Sequence, residues 1–147
     1  MFADTALLTI VSADIALVLA AFTLGIMLFF GAVVAPTAFR VFERTEAGRM
    51  MRALFPQYYL TAGASAVLGA LAAVPASRFA TVLLFLSAVG FLWLRQGLLP
   101  RIDRLRQKAD AGDEEAQAGF TRLHKLSVRA NLLQLVMIIG AVVVLIG

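Results

Sequence analysis

The sequence predicts an all-α fold, an integral membrane four-helix bundle with a cytoplasmic helical extension between spans three and four. The first observation is composition: the 147-residue chain is 61% hydrophobic and 15% charged, whereas soluble domains are about 45–50% apolar and about 25% charged. Second, the apolar residues form four runs that reach the length of about 18 residues needed to cross a bilayer. Third, no run alternates polar with apolar residues, which favours helices over a β-barrel.

The prolines are expected to mark the ends of the spans. The predicted spans, which form a single domain, are residues 14–35, 57–74, 79–99 and 127–146. Pro36 is expected to close the first span, and Pro56 to open the second near its first helical position. Pro75 is expected to end the second span, and Pro100 to interrupt the helix that leaves the third.

Small residues repeat along the second span. Ser65, Gly69 and Ala73 recur at intervals of four, a spacing that lets a neighbouring helix approach closely. We therefore expect this span to be central. The pattern fits packing within one bundle and equally a seam between two copies.

The polar insertion between the third and fourth spans, residues 101–125, is expected to form two helical extensions. The segment "DAGDE" would be the turn that joins them. Gly112 would end the first extension, and Asp113 or a neighbour would cap the second with negative charge at its N-terminus.

The positive charges predict the orientation in the membrane. Twelve of the 13 Lys and Arg residues lie in or beside the loops after the first and third spans, and Arg78 is the exception. The positive-inside rule then places both basic loops in the cytoplasm and both termini outside, in a multi-pass protein of the cell (inner) membrane. Anionic lipid headgroups are the expected partner, and nucleic acid is not. The candidate headgroup ligands are Arg52, Arg95, Arg101 and Arg129.

One face of the fourth span is polar but uncharged. At 100° per residue, four polar side chains fall within an arc of about 80°, and buried amides need partners, so this face should point into the bundle. The candidate ligand-binding residues of a cytoplasm-facing cavity are His124, Ser127, Asn131 and Gln134 on this face, with Tyr58 and Gln96 at the same depth. Alternatively, the amides only join helices and His124 only reaches the headgroups.

The chain offers few groups for metal or catalytic chemistry. It has one histidine and no cysteine, which leaves too few ligands for a tetrahedral zinc site. No nucleophile and base, paired carboxylates or phosphate-binding loop lies within a span, so no catalytic residue is assigned. A single haem with His124 as axial ligand is an alternative.

Four ordered segments carry a resemblance to a known family. They are "GAVVAPTAF", "AGRMMRALFPQYY", "LLPRIDRLR" and "FTRLHKLSVRANLLQ", which include Pro36, Phe55, Pro56, Tyr58, His124, Ser127 and Asn131. In these four segments the chain resembles the transmembrane protein 205-like family of small four-span membrane proteins. The resemblance implies an integral membrane protein without an assigned activity, and all four segments fall at the cytoplasmic ends of the spans.

Three functional hypotheses follow from the sequence. The first is a non-enzymatic small-solute or ion transporter or channel with a polar cytoplasm-facing cavity. Because four short helices hardly enclose a pore, conduction would need a homo-oligomer. The second is a membrane oxidoreductase subunit that binds haem through His124. The third is a lipid-interacting scaffold that uses the basic loops.

Overall fold

The protein is helical throughout the part of the chain that the structure describes. The structure is a computed structural model, which describes the backbone of residues 2–147 and the side chains of residues 6–147. Its α-helices are α1 (Phe2–Phe29), α2 (Ala35–Val41), α3 (Arg44–Ala73), α4 (Arg78–Trp93), α5 (Leu99–Asp110) and α6 (Glu114–Ile146). The π-helical segment Phe30–Val34 joins α1 to α2, and Leu94–Leu98 joins α4 to α5. The described residues therefore form four long, continuous helical segments, called rods below. The first rod is residues 2–41, the second is α3, the third is residues 78–110 and the fourth is α6.

Three of the rods are long and apolar enough to cross a membrane: Ala6–Val41, Arg78–Asp110 and Glu114–Ile146. This confirms an all-helical protein with candidate membrane spans. The remaining predicted span, residues 57–74, lies almost entirely on α3, which is less apolar because its N-terminal half is rich in charged and polar residues.

In the C-terminal half of α3 the small residues face the neighbouring helices, and Leu60, Leu68 and Leu71 face outward. Ala62, Ala66 and Ala70 are buried, and α3 packs against both α1 and α4. At Gly69 a Cβ atom would lie 3.4 Å from the Leu19 Cβ of α1 and 3.5 Å from the Leu84 Cδ1 of α4. The small residues of this helix therefore allow α1 and α4 to approach it closely.

A buried hydroxyl pair also joins α1 to α3. The Thr23 hydroxyl lies 2.8 Å from the Leu19 carbonyl oxygen and 3.0 Å from the Ser65 hydroxyl. Ser65 donates to the same Leu19 carbonyl at 3.1 Å. Both side chains are buried, and both hydroxyl groups have hydrogen-bond partners between the two helices.

Three of the four prolines lie within continuous helical segments and do not mark their ends, contrary to expectation. Pro36 and Pro100 each follow a π-helical segment, and the helix continues through α2 and α5. Proline lacks an N–H group and its ring clashes with the carbonyl four residues earlier, and the wider π turn alters the hydrogen-bonding register just before each ring. Pro56 lies inside α3, which begins at Arg44. Only Pro75 follows a helix end as predicted.

The polar insertion forms the expected helical hairpin. Helix α5 packs against α6, and the turn between them contains Gly112 with φ of 95°, a conformation that favours glycine. The Asp113 carboxylate accepts a hydrogen bond from the Ala116 N–H at 2.9 Å and so caps α6.

We predict that Gly69→Leu weakens the bundle, because it inserts a side chain where α1 and α4 approach α3. The expected loss of stability is about 1–3 kcal/mol, measured as a lower unfolding temperature in detergent. Gly25→Leu is the matched control, since a Cβ atom there would meet nothing within 4 Å. Equal unfolding temperatures for the two variants would contradict the close packing of α1 and α4 against α3 at Gly69.

Candidate functional site

A cavity of about 490 Å³ lies at the end of the bundle that carries the helical hairpin. Its walls come from the first rod, α3, the second π-helical segment, α5 and α6. The volume is within the range of about 300–1,000 Å³ that is typical of ligand pockets.

Apolar side chains form most of the cavity wall. The first rod contributes Met27, the segment Leu94–Leu98 contributes both of its terminal leucines, and α5 and α6 contribute Ile102 and Leu135. Such a wall favours an apolar occupant, because burying apolar surface is favourable and burying an unpaired polar group is costly.

Stacked aromatic rings form another part of the wall. The rings of Phe30 and Tyr58 stack with centroids 4.5 Å apart, and those of Phe55 and Tyr59 stack at 5.7 Å. The Tyr58 and Tyr59 rings lie 5.0 Å apart. Contacts of this kind between α3 and the first rod fix the positions of the two phenol groups.

Asn131 joins α6 to both tyrosines. The Tyr58 hydroxyl donates to the Asn131 Oδ1 at 3.1 Å, and the Asn131 Nδ2 donates to the Tyr59 hydroxyl oxygen at 3.2 Å and to the Ser127 carbonyl oxygen at 2.9 Å. The prediction that Asn131 faces the interior within reach of Tyr58 or Tyr59 is confirmed. These atoms form the polar part of an otherwise apolar wall.

Charged side chains surround the mouth of the cavity. Arg52 of α3, Asp103 and Arg106 of α5, and His124 of α6 line it at this end. The Arg106 guanidinium lies over the Phe120 ring, 5.5 Å from its centroid. The His124 ring, which is exposed, stacks on the same phenylalanine at 5.8 Å.

Asp103 lies beyond the end of the predicted third span. Burial raises the pKa of its carboxyl group above the ordinary value, and the positive charges of Arg52 and Arg106 lower it. Two arginines thus act on one carboxylate, and the mouth carries an excess of positive charge.

The structure brings together four of the six residues predicted to form a polar cavity. Tyr58, His124, Ser127 and Asn131 line it. Gln134 and Gln96 do not.

Gln134 is buried one turn deeper than Asn131 and faces α4 instead. Its Nε2 donates to the Ser87 carbonyl oxygen at 3.0 Å, while its Oε1 has no partner among the described residues. Gln96 is exposed, because the turn of helix that carries it directs Leu94 and Leu98 inward.

The four predicted headgroup arginines have different surroundings. Arg52 lines the cavity mouth. Arg95 is half-buried and donates through its Nε to the Pro56 carbonyl oxygen at 3.2 Å, so it joins α3 to the second π-helical segment. Arg101 and Arg129 are exposed.

Both π-helical segments contribute to the cavity wall, which the sequence analysis did not anticipate. Phe30 and Gly31 come from the first segment, and Leu94 and Leu98 from the second. Such segments are frequent at functional sites. The available signal was a proline shortly after each segment, Pro36 and Pro100, within an apolar run.

Among the residues with described side chains, no group of three or more His, Cys, Asp or Glu is placed to hold a metal ion. The His124 imidazole lies at the mouth, outside the aromatic wall.

The chain belongs to the family of the domain of unknown function DUF4149, whose model matches residues 18–111, more than half of the chain. A relative from Aquifex aeolicus (strain VF5), described as an uncharacterized protein, is 31% identical over 136 residues. That alignment covers 90% of this chain and 95% of the relative. No solved structure matches the chain significantly.

We predict that Asn131→Leu destabilises the protein by about 0.6–1.7 kcal/mol, the range measured for hydrogen bonds between membrane helices. The loss should be smaller in a Tyr58→Phe background, because that hydroxyl then has no bond to lose. His124→Ala should change stability little, since the side chain is exposed. Unfolding in detergent measures all three effects, and a loss at His124 as large as that at Asn131 would contradict this assignment.

Proposed function

We propose that this member of the DUF4149 family is an integral membrane protein that binds a lipid-like amphipathic molecule in the cavity described above. The observation that carries the proposal is the direction in which the cavity opens. Its exposed lining residues come only from the first rod and α6: Gly31, Phe39, His124, Val128 and Leu132. The cavity is therefore open along a gap between these two rods, which on α6 runs from His124 in the mouth to Val128 and Leu132.

Part of the gap lies at the depth of the hydrocarbon if the predicted spans cross the bilayer, while Phe39 and His124 lie outside those spans. Gly31 falls within residues 14–35, and Val128 and Leu132 fall within residues 127–146. An acyl or isoprenoid chain could pass sideways from the bilayer into the cavity without crossing water. An ion or a small polar solute would gain little from the apolar wall, so the geometry favours lipid binding over the solute transporter or channel.

The proposed placement in the membrane uses α3 as the fourth span, as the sequence predicted. Its small residues are shielded by α1 and α4, so few of its weakly apolar side chains would face lipid. The basic residues at the hairpin end support a cytoplasmic position for that end, both termini outside, a location in the inner membrane, and contact with anionic headgroups. The transmembrane protein 205-like resemblance fits the same arrangement.

Haem binding and a scaffold role are the remaining alternatives. A Soret band that disappears in His124→Ala would favour haem over lipid. The apolar residues exposed on the outer faces of the rods fit either lipid contact or a homo-oligomer, and lipid binding requires no second copy.

We predict that Leu132→Trp reduces binding of a long-chain lipid, because the larger ring would enter the cavity. Leu133→Trp is the matched control: both leucines are 60% exposed on α6, but only Leu132 lines the cavity. Binding of radiolabelled hexadecanol to purified protein in detergent, displaced by excess unlabelled hexadecanol, provides the measurement. Displaceable binding should fall about tenfold in Leu132→Trp alone. No displaceable binding to the unaltered protein would refute lipid binding in the cavity.

We predict that the two ends of the bundle lie on opposite sides of the membrane. Because the chain has no native cysteine, Ser77→Cys and Ala111→Cys each introduce one thiol. In intact cells an impermeant thiol reagent should label Ser77→Cys and not Ala111→Cys, and both should react after the membrane is opened. The reverse pattern would invert the topology.

A further inference from the structure

We propose that the mouth of the cavity is an anion site, in which Arg52 and Arg106 bind the carboxylate or phosphate headgroup of the molecule whose chain fills the cavity. This inference rests on the proposed lipid binding and adds the chemical class of the ligand. Three observations support the inference: the charges at the mouth, the packing of Arg106, and the position of both arginines next to an apolar wall.

The protein only partly neutralises the two arginines at the mouth. No described carboxylate lies within the 4.0 Å that defines an ion pair with either guanidinium group. Asp103 is the acidic residue that lines the cavity, and it faces both arginines. The mouth thus has two positive charges and one negative charge, which favours an anionic ligand. Charge-assisted hydrogen bonds from arginine to a carboxylate or phosphate are stronger than hydrogen bonds between neutral groups.

The side chain of Arg106 is positioned without an acidic partner. Its guanidinium packs against the backbone of Gly48 on α3, and a Cβ atom at Gly48 would overlap it. The guanidinium also lies over the Phe120 ring of α6, with its Cζ atom 5.5 Å from the ring centroid. Arg106 is thus held between two helices by Gly48 and Phe120, and Gly48 acts as a positioning residue.

The charged mouth and the apolar wall are adjacent parts of one cavity. Arg52 and Met51 are consecutive on α3, and Arg106 and Ile102 are one turn apart on α5; all four line the cavity. A molecule with one anionic end and one long apolar chain satisfies both parts at once, whereas a neutral lipid would leave the arginines unpaired.

The test compares two radiolabelled probes with the same chain, palmitate and hexadecanol, in detergent at a pH where the carboxylate is ionised. Unaltered protein should bind palmitate at least tenfold more tightly. Arg52→Gln and Arg106→Gln should each remove most of that preference and leave hexadecanol binding unchanged. Gly48→Ala should lower palmitate affinity several-fold, because it displaces Arg106 without removing its charge.

Two matched controls identify the cause of any loss. Arg104→Gln removes the same charge from an exposed position on α5 that does not line the cavity. Gly25→Ala makes the same glycine change where a Cβ atom meets nothing within 4 Å. Neither control should alter the preference for palmitate.

The competitors distinguish the source of the anion, and the outcomes separate the two proposals. Lysophosphatidic acid should displace palmitate, whereas inorganic phosphate at the same concentration should not, because it has no chain. Equal binding of hexadecanol and palmitate to unaltered protein would overturn the anion site and leave lipid binding intact. Absence of displaceable binding for both probes would overturn lipid binding itself. Displacement by inorganic phosphate alone would also count against this inference, since the mouth would then bind a free anion.

Discussion

The structure depends on two prolines that interrupt long helices without ending them. Proline has no N–H group and its ring clashes with the carbonyl four residues earlier, so a helix that continues past a proline needs a local change of geometry. Pro36 and Pro100 are each preceded by a π-helical segment, after which the helix resumes. The first rod consequently continues to Val41, beyond its predicted end at residue 35, and Phe39 in this continuation lines the cavity.

The size of the side chains on α3 sets the distance between the rods. Toward its C-terminus, alanine and Gly69 allow α1 and α4 to approach closely. Toward its N-terminus, the inward side chains become Phe55, Tyr58 and Tyr59, whose rings stack with Phe30 of the first rod. One helix therefore produces a tightly packed end and an open end, and the cavity occupies the open one.

The fold was more predictable than the site, for reasons that particular residues make clear. Four apolar runs and a glycine-containing turn indicate four rods and a hairpin, because lipid and glycine geometry constrain the local backbone directly. The spacing of His124, Ser127 and Asn131 placed them on one face, and the structure keeps them together at the cavity. Gln96 and Gln134 were misplaced because a single helical period does not show which neighbouring helix a residue faces. Arg106 was missed because its position depends on Gly48 and Phe120, which belong to two other helices.

The length of the hairpin arms has a mechanical consequence. The run from Arg78 to Asp110 contains 33 residues, as does the run from Glu114 to Ile146, and at about 1.5 Å per residue each is about 50 Å long. In the proposed placement the hydrocarbon core takes up about 30 Å of each arm, so about 20 Å of paired helix would extend past it. Because α5 continues into the cavity-lining segment Leu94–Leu98 without a loop, a force that tilts the tip near Gly112 would be transmitted along the helix to the cavity wall.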